Sequence, residues 1–361
     1  MSIKKDKYFI SLANNLAENT KGYTGPNPSV GAVIVKNNEV IAFGNTSSSG
    51  RPHAEVNALN DLSAKDKKNS TIYISLEPCA HYGKTPPCVN KIIRSKIKRV
   101  VYSVNDPDRR TAGKSYEILK SNKIKVRKNI STDVSKSLYK NYYYSKIYNI
   151  PYVYGKIAIS KDMFLKDKKN FYITNEACLK TTHILRSKVN CIMTSYKTIN
   201  DDNPKLNCRL IGLEKFSPKV AILDKNVKIK KNSLLISNAK KKKTFLFYNQ
   251  GPKKKISYLK SKKIIVVHTP LNNNKLDFNF ILRKLYKFEI SSILVEAGRL
   301  LTMSLLRNDF FNEFFLFVSN KKLNKRGNLK INNIKRNLSK KFKKRKINEI
   351  FLEKDNLIHY Y

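Results

Sequence analysis

Pro52-His53-Ala54-Glu55 opens, and Glu77-Pro78-Cys79-Ala80-His81-Tyr82-Gly83-Lys84-Thr85-Pro86-Pro87-Cys88 closes, the stretch on which the reading of this chain turns. His53, Cys79 and Cys88 offer one imidazole and two thiolates, a donor set suited to zinc. Three protein ligands leave the fourth tetrahedral position to a water, the catalytic arrangement, whereas a closed structural site needs a fourth side chain. His81, inside the same loop, is the candidate for that closed alternative. Glu55 follows the histidine by two residues, an offset that at a helix start aims a carboxylate at the open position without making it a ligand. Zinc lowers the pKa of a bound water to about 7, and a neighbouring carboxylate can carry its proton to a leaving amine. In the closed alternative Glu55 is only a first-turn acid that complements the helix dipole. Blander still, both thiols are buried apolar groups, a reading weakened by their sharing one loop with Pro and Gly.

Outward from this stretch, residues 4–20 space Phe9, Leu12, Ala13 and Leu16 as a helix does, and 29–35 read as a buried strand. Asn37-Asn38 marks a hairpin turn into Val40-Ile41-Ala42-Phe43. Pro52 predicts a helix start, 71–76 a strand that delivers Cys79, Cys88 the opening of a helix, 99–104 a strand and 115–121 a helix. Such alternation predicts an α/β layer sandwich, and a helix start favours thiolate over thiol. A tyrosine-rich helix over 138–150 leads into Pro151, and the domain boundary is placed to give 1–147 and 148–361. The second series has strands at 152–159, 191–194, 219–223, 244–248, 264–267 and 292–295, with helices at 176–188, 277–287 and 299–307. No Gly-x-Gly-x-x-Gly occurs, so no ordinary dinucleotide fingerprint supports a cofactor here, and alone this half reads only as an α/β domain. Beyond Asn320 the chain is rich in Lys and Asn, with a last strand expected near 350–352.

At 361 residues the chain exceeds one ordinary core, which agrees with two domains. Five cysteines at irregular spacing make a poor disulfide framework and point to a reducing compartment. The N-terminus lacks the apolar run of a signal peptide, and no stretch approaches the ~20 apolar residues of a membrane span, so a cytoplasmic location without membrane contact is expected. The net charge of +47 comes from lysines scattered through every segment, with runs at 240–243, 253–255 and 340–346. Such runs usually form solvated faces. No specific nucleic-acid partner is expected from them, and attraction of phosphorylated small molecules is the more modest inference.

The His-x-Glu and Pro-Cys pairing is the signature of zinc-dependent nucleobase deaminases, which place two residues between the cysteines. Here eight intervene, from Ala80 to Pro87. Asn27-Pro28-Ser29-Val30-Gly31, His53-Ala54-Glu55, the long cysteine loop, Asn105-Asp106-Pro107 and Ala112-Gly113 resemble, in order, the motifs of the bifunctional riboflavin-biosynthesis deaminase–reductases of the RibD type. The long loop is that family's own form. Pro151-Tyr152-Val153 with Lys156, Ser160 and Asp162, then Tyr172-Ile173-Thr174, Leu185-Arg186-Ser187, Thr198, Asp202-Asn203-Pro204, Leu206, Arg209 and Val295-Glu296-Ala297-Gly298 extend the resemblance more sparsely through the second half. Where the family has a glycine and a basic residue this chain has Met163 and Phe164, and Tyr172 replaces a tryptophan. Arg299 and Leu300 follow Gly298, Thr46 replaces a histidine, and Asp108 an asparagine.

The resemblance implies an α/β fold, an N-terminal cytidine-deaminase-like α/β/α sandwich joined to a C-terminal dihydrofolate-reductase-like α/β domain. It implies zinc-dependent deamination of 2,5-diamino-6-ribosylamino-4(3H)-pyrimidinone 5′-phosphate, then NADPH reduction of the ribosyl group to ribityl. His53, Cys79 and Cys88 would bind zinc and Glu55 would shuttle protons, while Asn27, His81, Lys84 and Asp106 would hold the pyrimidinone and its phosphate. In the reductase, Ala158, Tyr172, Thr198, Asp202 and the turn from Gly298 would line NADPH, and Asn170, Arg186, Leu206, Arg209 and Glu296 would meet the substrate. Two arginines there could grip a phosphate in bidentate fashion. A homo-oligomer is expected. The rivals are a deaminase with a degenerate, non-reducing C-terminal domain and an RNA-editing zinc deaminase.

Overall fold

The computed structural model describes residues 2–48, 50–170, 172–348 and 352–361, and the chain divides into two compact units, 1–149 and 150–361. In the first unit α1 (Ile3–Thr20) precedes the hairpin β1 (Gly31–Lys36) and β2 (Glu39–Asn45), then α2 (Ala54–Asn60), α3 (Ala64–Lys67) and β3 (Thr71–Leu76). It continues through α4 (Cys88–Arg94), β4 (Arg99–Val104), α5 (Lys114–Ser121), β5 (Lys125–Arg127) and α6 (Thr132–Tyr148). Asn37 and Asn38 both take positive φ, the two-residue turn that matches strand twist. The sheet runs β2-β1-β3-β4-β5, with β1 antiparallel to β3, and β3, β4 and β5 parallel. Side chains alternate across it as strand geometry demands. Val33, Val35, Tyr73 and Val101 pack with α1, and Ile34, Ile72, Ile74, Val100 and Tyr102 with α2 and α4. This is the α/β/α sandwich. α6 runs on through Tyr148 and stops at Asn149, whose φ of 56° ends it, so the division falls two residues beyond the expected 147.

A buried acid ties the first layer together. Asp6 of α1, fully buried, receives Arg99 Nη1 at 2.8 Å and Nη2 at 2.6 Å, Arg127 Nη1 at 2.5 Å and the Tyr73 hydroxyl at 2.9 Å. Burial alone would raise its pKa, but the donors from Arg99, Tyr73 and Arg127 together hold it below the usual carboxylate value.

The second unit opens with β6 (Tyr152–Ile159) and β7 (Phe164–Asp167), then α7 (Glu176–Ser187), β8 (Cys191–Ser195), α8 (Tyr196–Asp202), β9 (Lys219–Leu223) and α9 (Leu234–Ser237). There follow β10 (Thr244–Tyr248), α10 (Lys253–Ser261), β11 (Ile265–His268), the small hairpin β12 (Leu271–Asn272) and β13 (Lys275–Leu276), and α11 (Phe278–Lys287). The chain ends through β14 (Ser292–Glu296), α12 (Arg299–Arg307), β15 (Glu313–Val318), β16 (Gly327–Lys330), α13 (Ile334–Lys341), β17 (Arg345–Asn348) and β18 (Asn356–Tyr360). Nine strands form one sheet ordered β11-β10-β9-β8-β14-β6-β15-β18-β17, parallel from β11 to β15. Ile192, Val220, Ile222 and Leu246 face α8, α9 and α10, while Cys191, Met193, Ala221, Phe245 and Phe247 face α11, α12 and α13.

One sequence expectation changes here. Glu313–Val318, given no element by the sequence, is the strand beside β6, because a short apolar run takes its identity from the neighbour it pairs with. The lysine run at 253–255 opens α10 and lies on its solvated side, as expected of such a run. Ile350 and Phe351 of the expected last strand lie outside the described residues, and the described strands at this end are β17 and β18.

Candidate functional site

In the first unit the chemistry gathers at the carboxyl ends of β3 and β4. β3 is buried along its whole length, and the turn after it delivers Cys79, while Cys88 is the first residue of α4. His53 is the N-cap of α2, and Glu55, in its first turn, is 3 % exposed. Pro52 therefore precedes the cap and does not start the helix, because His53 keeps an extended backbone, φ −73° and ψ 162°. His53 Nδ1 lies 3.6 Å from Cys79 Sγ and 3.3 Å from Cys88 Sγ, with all three ligand atoms within 4.8 Å of one another. Zinc with Zn–N near 2.05 Å and Zn–S near 2.3 Å has tetrahedral N···S edges of about 3.6 Å. The donor set fits that ion. Among the described residues His81 stands outside the cluster, its Nδ1 2.9 Å from Thr111 Oγ1, an arrangement that favours the open site over the closed alternative.

The electrostatics suit a thiolate centre. The Cys88 thiol, His53 and the Cys88 backbone N–H, 3.2 Å away, draw the Cys79 thiol down to about 4 against the opposing pull of burial. Cys88, hydrogen-bonded to Cys79 and buried, is pushed well up, and His53 is raised by its contact with Cys79. Burial raises Glu55, toward the range in which a carboxyl can both take up and return a proton. Arg51 Nη1 stands 3.3 Å from His53 Nε2 and also donates to Thr85 Oγ1. When Nδ1 binds a metal, Nε2 carries the ring hydrogen and no longer accepts from Arg51.

The expected substrate residues frame this centre unevenly. Asn27 Nδ2 donates to the Gly50 carbonyl at 2.7 Å, next to Arg51. Lys84 is exposed on the cysteine loop. Asp106, at the end of β4, accepts from the Asp108 N–H at 2.9 Å and the Tyr142 hydroxyl at 3.0 Å, and burial lifts it to about 7. Asp108 pairs with Arg110 at 2.6 Å and Lys146 at 3.0 Å, and is held well below the carboxylate range, first by Arg110. Glu77 secures the loop, accepting from the Asp106 N–H at 3.0 Å, the Gly113 N–H at 3.1 Å and the Ser115 hydroxyl. Arg51, Thr111 and Tyr142 escaped the sequence reading. Tyr142 sits in a run of three tyrosines, and no local signal says which of them turns inward.

In the second unit a charged cluster joins β6, β14 and α7. Arg186 Nε meets Glu296 Oε1 at 2.6 Å, Nη2 meets Oε2 at 2.8 Å, and Nη1 donates to the Asn207 carbonyl at 3.1 Å. Burial works against Glu296, yet Arg186 and then Lys156 bring it down to about 2. Lys156 is paired with Glu296 across β6 and β14, and burial lowers it despite that neighbour. The fork of Arg186 is thus already occupied, whereas Arg209 is exposed and its Nη1 donates to Asn207 Oδ1 at 2.9 Å. Leu206 is buried with φ 46°, and its carbonyl accepts from Lys242 Nζ. Lys242 belongs to the run read as a solvated face, but burial and nearby Arg186 press it down to about 8. Thr198 caps with Ser195 at the start of α8, Asp202 pairs with Lys166, and Gly298 caps α12 with open space at its Cβ position. Ala158 lies on β6, whereas Tyr172 is 51 % exposed, and Asn170 donates to Asp167 at 3.1 Å.

Residues 3–104 match the family described as the cytidine and deoxycytidylate deaminase zinc-binding region, and residues 151–327 match the RibD C-terminal domain. The riboflavin biosynthesis protein RibD of Aquifex aeolicus is 33% identical over 350 residues, covering 96% of this chain and 96% of that protein. The chain belongs to the RibD family. The RibD of Bacillus amyloliquefaciens is 31% identical, over 87% of this chain and 84% of its own length. A solved RibD of Acinetobacter baumannii superposes with a TM-score of 0.85 at 28% identity, covering 99% of both chains. A diaminohydroxyphosphoribosylaminopyrimidine deaminase/5-amino-6-(5-phosphoribosylamino)uracil reductase of Thermotoga maritima gives 0.81 at 25% identity, over 99% of this chain and 98% of that one. The chain is accordingly a bifunctional RibD enzyme, a zinc-dependent deaminase joined to a reductase. Among the described residues no helix is long and apolar enough to cross a membrane.

Proposed function

We propose that the chain deaminates 2,5-diamino-6-ribosylamino-4(3H)-pyrimidinone 5′-phosphate in its first unit and reduces the resulting 5-amino-6-(5-phosphoribosylamino)uracil to the ribityl product in its second. The observation that carries the reading is the His53–Cys79–Cys88 triangle at tetrahedral edge lengths, with Glu55 buried beside it and His81 turned to Thr111. Bound zinc supplies the Lewis acidity that makes a water nucleophilic at neutral pH. Glu55 takes up that proton and returns it to the departing amine, a role its burial-raised pKa suits. Asp106, neutral for part of the physiological range, can donate to or accept from the pyrimidinone edge, while Asn27, His81 and Lys84 border the ring and its phosphate. His81 is held below its usual pKa by burial and then Arg110, so it meets substrate as a neutral imidazole.

In the second unit NADPH supplies the hydride. Glu296, ionised between Arg186 and Lys156, orders the floor of the site, and Arg209 with Leu206 and Asn170 would receive the phosphorylated ribosyl arm. Ala158, Tyr172, Thr198, Asp202 and Gly298 would border the cofactor. Partners are small phosphorylated pyrimidines. The deciding experiment supplies the purified, zinc-loaded chain with the diamino substrate and follows ammonia release, then adds NADPH and follows loss of its absorbance. Ammonia release followed by NADPH oxidation is expected. Ammonia without oxidation at any substrate concentration would leave a deaminase with a degenerate second domain.

A further inference from the structure

Between α3 and the last turn of α4 the first unit holds a cavity of about 620 Å³. Six of its eight lining residues are cations, Lys65, Lys67, Lys68, Lys91, Arg94 and Lys96. Lys and Arg make up 73 of the 361 residues, a share that would supply fewer than two of the eight. The six come from two separate segments, so folding makes the cluster and no single run does. Helix polarity explains part of it, because Lys67 ends α3, Lys91 and Arg94 lie in the last turn of α4, and carbonyl ends favour cations. It does not explain why no acid answers them. Among the described residues none of the six side chains has a hydrogen-bond or ion-pair partner. Asp66, the one acid of α3, does not line the cavity; it accepts from the Ser63 hydroxyl at 2.6 Å and lies 4.0 Å from Lys36 Nζ. Six like charges around one concavity repel one another, and an anion of high charge density relieves that repulsion.

We propose that this cleft binds a short chain of phosphates, the group shared by inorganic tripolyphosphate and nucleoside triphosphates. Its volume lies within the range of small-molecule pockets. No aromatic side chain lines it, so it offers no platform on which successive bases of a nucleic acid could stack. Lysine ammoniums are compact charges with rotatable donors, able to serve several phosphate oxygens without imposing one geometry. Arg94 adds a planar fork that can hold one phosphate through two parallel bonds. The cleft is separate from the candidate zinc centre, for Cys88 opens α4 whereas Lys91 and Arg94 lie at its other end. A pyrimidine with a single phosphate monoester needs fewer cations than these six. The inference therefore goes beyond the deaminase reading and does not rest on it.

The test uses the full, zinc-loaded chain at fixed ionic strength, because a chain of net charge +47 attracts any polyanion at low salt. Inorganic tripolyphosphate, ATP and an RNA oligonucleotide are titrated by calorimetry onto the parent and two double variants. Lys67→Gln with Lys91→Gln alters the cleft, and Lys253→Gln with Lys254→Gln removes the same charge from α10. Saturable one-to-one binding of tripolyphosphate is expected. The cleft pair is expected to weaken it at least about tenfold, the contribution of one charge-assisted hydrogen bond, and the α10 pair to change it less than about twofold. ATP that weakens by the same factor makes the nucleotide a source of the phosphate chain, whereas ATP that ignores the cleft pair restricts the site to inorganic chains. Equal losses in both variants, uptake that never saturates, or RNA bound more tightly than tripolyphosphate through Lys67 and Lys91 overturns the assignment. Both variants remove repulsion and break no contact, so each is expected to melt no lower than the parent. Should the cleft pair fail to fold, Lys91→Gln alone carries the same comparison. As a second measurement, tripolyphosphate is expected to raise the melting temperature of the parent more than that of the cleft variant, and equal rises overturn the assignment.

Discussion

Glu55 and Asp106 are both buried carboxyls of the first unit, and each makes a separable prediction. Glu55→Gln keeps the shape of the side chain but cannot carry a proton. Its zinc content by plasma emission is expected to match the parent, with deamination down by about 10²–10⁴-fold, the usual worth of a positioned acid–base group. Loss of zinc instead would make Glu55 a structural residue. Asp106 titrates near 7 when folded, raised by burial, and near 3.9 when unfolded. The folded state therefore holds a proton that the unfolded chain has released between those two values, and stability attributable to this group falls as pH rises from about 4 to about 7. Asp106→Asn retains an acceptor for Tyr142 and Asp108 without that slope. Its melting temperature relative to the parent is expected to climb across this window, and parallel curves would show that Asp106 ionises normally. The candidate site of His53, Cys79, Cys88 and Glu55, which the fold brings together, was legible in the sequence because chemistry restricts which side chains can hold zinc and move protons. Arg51, Thr111 and Tyr142 were not, since each matters only through a neighbour brought up by folding.

At the scale of elements, α1 lies directly on β1. A Cβ on Gly31 would stand 2.0 Å from the Ala13 carbonyl oxygen and 2.8 Å from Leu16 Cβ, so the helix itself would have to move. Gly31→Ala is expected to cost about 1–3 kcal/mol, the range for overpacking, read as a lower urea midpoint at unchanged slope. The glycine was visible as part of a motif, yet its reason is the helix laid across it. The same helix is pinned by Asp6, whose partners come from β3, β4 and β5. Asp6→Ala leaves Arg99 without its bidentate partner, and breaking a buried pair costs about 3–5 kcal/mol. The pair contributes while Asp6 is ionised, so the gap between parent and variant is expected to be full above pH 4 and to narrow as acid protonates the parent below it. Denaturant melts at pH 3 and pH 7 check the direction.

For the whole molecule, each unit has its own sheet and its own buried core. A fragment of residues 1–149 is expected to fold cooperatively and to bind one zinc, with metal content and circular dichroism as readouts. A fragment that stays unfolded with zinc present would mean that the first core needs the second. The +47 charge spreads over both units, yet not every lysine of a run faces solvent. Lys242 leaves its run to meet the Leu206 carbonyl. The sequence by itself determined the order of most strands and helices, the hairpin at Asn37-Asn38 and the three side chains that come together as candidate metal ligands, because turn chemistry, apolar period and ligand softness are properties of near neighbours. Only the tertiary structure decided that His81 turns to Thr111, and that Arg186 spends its fork on Glu296, 110 residues away. It alone made Glu313–Val318 the strand beside β6. Those outcomes depend on sheet order and register, which pair residues that no local pattern relates.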